Sequence, residues 1–149
     1  MYPWVADCAD YAYLEDDLLP ISGSVPESEL RQPTQCNGCG TPALPVMKTG
    51  LTTGTTVGWF NGLKTLTRYD IHDDLSFTSL ETTIVPYGGR GAFSAPGDSG
   101  AAILDRKGRI VALLTGGGGL TNETDVTFAT AWYQLEPHIK KTLEGIHLF

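Results

Sequence analysis

An antiparallel all-β barrel with a C-terminal helix is the fold that this 149-residue sequence predicts, on three observations. From residue 46 onward, short β-branched segments alternate with Gly and polar turns at the spacing of an antiparallel all-β domain. Only the tail, where Trp132, Leu135, Ile139 and Leu143 recur at three and four residues, carries a helical period. Closure is expected because an open sheet of such apolar strands would leave sticky edges exposed.

Residues 1–45 are Pro-rich, acidic and weakly periodic, which predicts an irregular connecting arm with one short helical turn at 27–32. Residues 46–149 form the domain proper. Six strands are expected: 46–60, bent at Gly50 or Gly54, then 64–69, 79–85, 100–104, 109–116 and 126–132. Asn61-Gly62 carries a type I′ hairpin signal between the first two strands, and Asp105-Arg106-Lys107-Gly108 a tight turn between the fourth and fifth. The helix is predicted over 134–144, with Lys140 and Lys141 near its C-terminal end, where cations suit the helix dipole, and Gly145 as its stop.

With 41% hydrophobic and 18% charged residues, the composition is that of one globular domain. The longest purely apolar stretch, residues 110–114, is far shorter than the roughly 18 residues of a membrane helix. The first seven residues lack the basic start and apolar run of a secretory signal. The net charge of -7 is lopsided: residues 1–30 hold seven acids and no Lys or Arg, and the rest is balanced. No basic face for phosphates is indicated, so neither nucleic acid nor membrane is an expected partner. The acidic leader is expected outside the core.

Three cysteines cannot all pair within one chain, and Cys36-Asn37-Gly38-Cys39 is a single C-x-x-C. A structural zinc site wants four ligands, with Cys8 and the distant His72 as the only candidates to add. A redox pair belongs where a strand enters a helix, whereas 32–45, with three Pro and two Gly, reads as loop. Ordinary loop thiols are the expectation, with zinc and thiol chemistry as alternatives; no metal or cofactor is called for.

The most informative stretch is Phe93-Ser94-Ala95-Pro96-Gly97-Asp98-Ser99-Gly100, followed by the apolar Ala101-Ala102-Ile103-Leu104. A serine flanked by glycines just before a buried strand is what a nucleophile needs. The glycines let the backbone turn sharply, so that the Ser99 hydroxyl and the Gly97 and Ser99 amides converge on one substrate oxygen. By itself, G-D-S-G is also four common turn residues.

In context, this region resembles the second barrel of the chymotrypsin-like (trypsin-fold) serine proteases. After Gly97-Asp98-Ser99-Gly100 come an apolar strand, a turn ending in Gly108, and Arg109-Ile110-Val111-Ala112-Leu113-Leu114-Thr115-Gly116-Gly117. Upstream, residues 46–58 resemble the V-x-K-x-G-x-T-T-G-x-T-x-G strand of bacterial and fungal members. Downstream, Asp125-Val126-Thr127-Phe128-Ala129-Thr130 is similar to their D-x-T-Y-A-T strand. The match runs from about Val46 to Lys141 and most resembles the protease-like proteins of filamentous fungi.

The resemblance implies a six-stranded Greek-key barrel and roles for the matching positions. Ser99 is then the nucleophile, the Gly97 and Ser99 amides the oxyanion donors, and Thr115, Gly116 and Gly117 the backbone that pairs with an extended substrate. Phe93 would lie near the base of the specificity pocket and favour small or apolar side chains. Asp98 would be a buried carboxylate holding the oxyanion loop through a cation, with Arg68 and Arg90 as candidates.

One departure from the family pattern matters. The general base and its orienting aspartate come from a preceding barrel in this family, and the 45 residues before Val46 are too few to form one and contain no histidine. A serine without a positioned base is a poor nucleophile. His72, in Asp70-Ile71-His72-Asp73-Asp74, is the one substitute considered, although adjacent side chains on a strand point apart. His138 reads as a helix-surface residue and His147 as part of the tail. Two readings follow: the nucleophile half of a serine endopeptidase, inactive alone and completed by a missing barrel, a separate chain or self-association; or a non-catalytic peptide- or protein-binding module. A small zinc or thiol protein is the weaker third. Asn122-Glu123-Thr124 fits the glycosylation pattern but reads as a polar loop, and residues 116–119 lack the Lys-Ser/Thr ending of a phosphate loop.

Overall fold

The computed structural model describes residues 20–72, 75–89, 91–118, 126–143 and 145–146, with the backbone alone at 69, 71, 72, 75 and 89. Six antiparallel strands are built from the β-branched segments: β1 (Leu44–Gly50), β2 (Gly54–His72), β3 (Leu75–Pro86), β4 (Ala102–Asp105), β5 (Ile110–Gly118) and β6 (Val126–Ala131). They close in the order β1-β2-β3-β6-β5-β4, a Greek-key barrel sealed by β1 on β4 at Val46↔Asp105 and Lys48↔Ile103. Alternation along the strands turns Leu44, Val46, Phe60, Ile84, Ile103, Leu114 and Ala129 inward to form the core. Each of these apart from the small Ala129 contributes about 1.5–3 kcal/mol by leaving water.

The strand count is as expected, but two boundaries differ. Residues 46–60 are not one bent strand: the chain reverses between Gly50 and Gly54, which pair across a three-residue turn. Asn61-Gly62 is not a hairpin turn, because β2 runs through it. Gly62 uses its positive φ of 78° in a bulge, where the register with β3 shifts between Phe60 and Lys64. A left-handed glycine serves a bulge as readily as a turn, and the dipeptide alone does not choose. Beyond Lys64, β2 and β3 pair only with each other among the described residues, so the hairpin extends past the barrel.

The C-terminal helix α2 (Trp132–Thr142) starts two residues earlier than expected, directly from β6, with Lys140 and Lys141 in its last turn. At the other end, α1 (Glu27–Arg31) realises the short helical turn. Contrary to expectation, the described part of the leader does not stay outside the core. Ser24 bridges in parallel to Ile110, the Val25 amide donates to the Ile110 carbonyl at 2.9 Å, and Val25 and Leu30 are buried in the core cluster. Arg109 locks this segment down, donating to both Glu29 oxygens at 2.9 and 2.6 Å and to Asp105 at 2.8 Å. Hydrogen bonding from Arg109 holds the Glu29 carboxyl below its ordinary range. The acidic composition hid two apolar anchors in the right places.

Candidate active site

The site is built on the loop between β3 and β4 and held from beneath by the β1–β2 turn. Alternation places Lys48 in the inward phase already set by Leu44 and Val46, so a cation enters the barrel, where it is 1% exposed. Burial of a lone ammonium is prohibitive, and three acceptors meet it. Its Nζ donates to the Thr53 hydroxyl, to the Gly54 carbonyl at 3.1 Å and to Asp98 Oδ2 at 3.1 Å. The Phe93 ring lies 5.8 Å away, within cation–π range.

Asp98 is as deeply buried as its partner. Its Oδ1 accepts from the Thr52 amide at 2.7 Å and the Thr53 amide at 3.3 Å. Its Oδ2 also accepts from the Thr53 hydroxyl at 2.6 Å and the Ala95 amide at 3.1 Å. Burial alone pushes this carboxyl up; the bonds from Thr53, Thr52, Lys48 and Ala95 outweigh it and hold it far below the usual carboxylate range. The cation on Asp98 is thus Lys48, not Arg68, which pairs with Asp70 at 2.9 Å, while Arg90 lies outside the described residues. Space is tight: a Cβ on Gly50 would meet Asp98 Oδ1 at 2.4 Å.

Anchored this way, the loop presents Ser99 to solvent. Gly97 adopts φ 103°, and its neighbour Pro96 accepts from the Thr52 hydroxyl at 2.8 Å. The Asp98 amide is used on Ala95 and that of Gly100 on Leu114, whereas the Gly97 and Ser99 amides have no protein partner among the described residues. Beside Ser99 opens a cavity of about 290 Å³, lined by residues 94–96, Ser99, Leu114 and residues 116–118. Its walls carry no charge. Ser94, on the wall, shares a 2.6 Å hydrogen bond with Thr127. Phe93, placed by sequence near the pocket base, is fully buried between Lys48 and Gly58, one residue removed from the lining.

Thr115, Gly116 and Gly117 sit where β5 leaves the barrel ladder. β4 pairs with β5 only as far as Leu113, while β6 covers the other edge through Gly118. Among the described residues, a strand edge therefore runs unpaired from Thr115 to Gly118 beside the cavity, the geometry that accepts an extended peptide by strand addition. The histidines do not gather here. His72 ends β2 at the hairpin tip, eight residues beyond Lys64, about 26 Å of strand at the usual rise. His138 is exposed on α2, and His147 lies outside the described residues, as do Cys8 and Asn122. Cys36 and Cys39 are free, exposed thiols.

A family model, peptidase S3, described as alphavirus core protein, matches residues 66–148, more than half of the chain. The chain belongs to the peptidase S3 family. The fold is similar to a chymotrypsin from Cellulomonas bogoriensis, with TM-score 0.50 and 19% identity over 83% of this chain and 53% of that one. It is likewise similar to a Nocardiopsis protease, with TM-score 0.52 and 20% identity over 83% and 51%. No curated protein sequence matches. This peptidase S3 chain therefore has the chymotrypsin-like, serine-protease-type fold and spans about half the length of those two structures.

Sequence reasoning missed Lys48, Thr52 and Thr53 as parts of this site. The signal was available: Lys48 stands two residues after Val46 on one strand, so the face that buries the valine buries the lysine.

Proposed function

We propose that this chain is the nucleophile-bearing half of a serine endopeptidase. Ser99 attacks the scissile carbonyl, the Gly97 and Ser99 amides take the developing oxyanion, and the Thr115–Gly117 edge pairs with the substrate backbone. The uncharged cavity suits a small or apolar side chain before the scissile bond. The observation that carries this reading is the buried Lys48–Asp98 pair, which commits a costly desolvated charge to fixing one loop beside an exposed serine and two amides that have no partner among the described residues. In this reading residues 1–45 are an arm leading into one barrel domain, 46–149. The base and its aspartate come from a preceding domain, a separate chain or a second copy. The kinship with fungal protease-like proteins rests on the strand motifs of residues 46–58 and 125–130.

Attack then proceeds by forming the Ser99 Oγ–carbon bond while the hydroxyl proton passes to the supplied base; the carbon–nitrogen bond breaks as the leaving amine takes that proton, and water, activated by the same base, then hydrolyses the Ser99 ester. A fluorophosphonate probe tests this. The isolated chain should label slowly, and concentrated imidazole, as a soluble base, should raise the rate about 10-fold or more, with Ser99→Ala unlabelled. Fast labelling without imidazole would place a base within the chain. Absence of labelling with imidazole would favour the second reading, a binding module that keeps the open edge and cavity to capture an extended peptide.

A further inference from the structure

The loop 32–43 takes no part in the site described above, yet it closes on itself with some care. Cys36 bridges in antiparallel fashion to Pro42, the Gly40 amide donates to the Asn37 carbonyl at 2.9 Å, and Gly40 turns the chain back at φ 78° immediately after Cys39. The Asn37 carboxamide accepts from the Cys39 amide at 3.0 Å and the Thr41 amide at 2.9 Å. Both thiols are free and exposed on this braced turn. Two cysteines separated by two residues are the common half of a tetrahedral zinc–thiolate site.

Among the described residues, no third His, Cys, Asp or Glu joins the pair. The turn therefore offers two donors where zinc takes four. The chain is acidic overall, but residues 32–47 carry no charge, and the flanking Arg31 and Lys48 are paired with Glu27 and Asp98. Two copies can therefore bring these turns together with no like charges within the turns to oppose them. A dianionic tetrathiolate centre would also find no carboxylate within the turn to oppose it.

We propose that Cys36 and Cys39 bind zinc together with the same two residues of a second copy, giving one Zn²⁺ ion held by four thiolates between two chains. Each ion displaces four thiol protons and no electron is transferred, so binding weakens as the solution is acidified.

The test uses the full-length, reduced, metal-free chain. Co²⁺ and then Zn²⁺ are titrated in, with the visible spectrum reporting coordination and sedimentation equilibrium reporting mass. The expected result is a tetrahedral cobalt–thiolate spectrum that saturates at one ion per two chains, a doubling of mass, and displacement of cobalt by zinc. Cys36→Ser and Cys39→Ser should each abolish both signals while keeping the native far-UV circular dichroism, and Cys8→Ser should keep both. Saturation at one ion per chain without a mass change, dependence on Cys8, or no thiolate spectrum would each overturn the proposal.

Discussion

Lys48 and Asp98 are worth more to each other than either is to the barrel. Removing one partner leaves a buried charge, so Lys48→Met should destabilise the fold by about 3–5 kcal/mol, read as a lowered urea midpoint. The sign of the pH dependence follows from the depressed Asp98 carboxyl. The native state releases that proton more readily than the unfolded chain, whose carboxylates titrate near about 3.9. The stability it contributes is complete above that value and is lost as pH falls toward the lower folded value. The urea midpoint should thus fall steeply below about pH 4, and Asp98→Asn should flatten that fall; an equal slope would assign it to other carboxylates. Glu29, lowered by its bonds to Arg109, acts in the same direction. From the sequence, Ser99 and its glycines could be read because turn chemistry is local. The partner of Asp98 could not be read that way, because it arrives from 50 residues away on another strand, carrying a charge that hydropathy assigns to the surface.

Strands with clean alternation, β3 to β6, were recoverable to within a few residues of their ends. The two errors came from glycine. Gly50 and Gly54 make a turn where a bend was expected, and Gly62 a bulge where a turn was expected, since a positive φ specifies a local conformation and not the path of the chain beyond it. The leader misled for a different reason: its acids dominate the composition, while its contribution to packing rests on Val25 and Leu30. Leu30→Ala should therefore cost about 2–5 kcal/mol in thermal or urea unfolding, as for a core leucine. A loss below about 0.5 kcal/mol would mean that the segment only rests on the surface.

Taken together, barrel, arm and loop give one chymotrypsin-like barrel that spans about half the length of the two similar structures, with the Ser99 loop fixed from within its own strands. Motifs spread over strands do not name the peptidase S3 family, but they carry the chymotrypsin-like fold, which was legible in the sequence. The source of the base was not, because none of the three histidines is tied to Ser99 by a motif.

In the proposed reading the buried Lys48–Asp98 pair, rather than a second barrel, organises the Ser99 loop. This role is tested most directly by comparing phosphonylation of Ser99, in imidazole, between the wild-type chain and the double variant Lys48→Met/Asp98→Leu. Replacing both charges with apolar groups of similar volume is often tolerated by the fold, so a cooperative melt should persist. The account predicts that the folded double variant labels about 100-fold more slowly, the loss expected when oxyanion donors are no longer fixed. Labelling at the wild-type rate would contradict it.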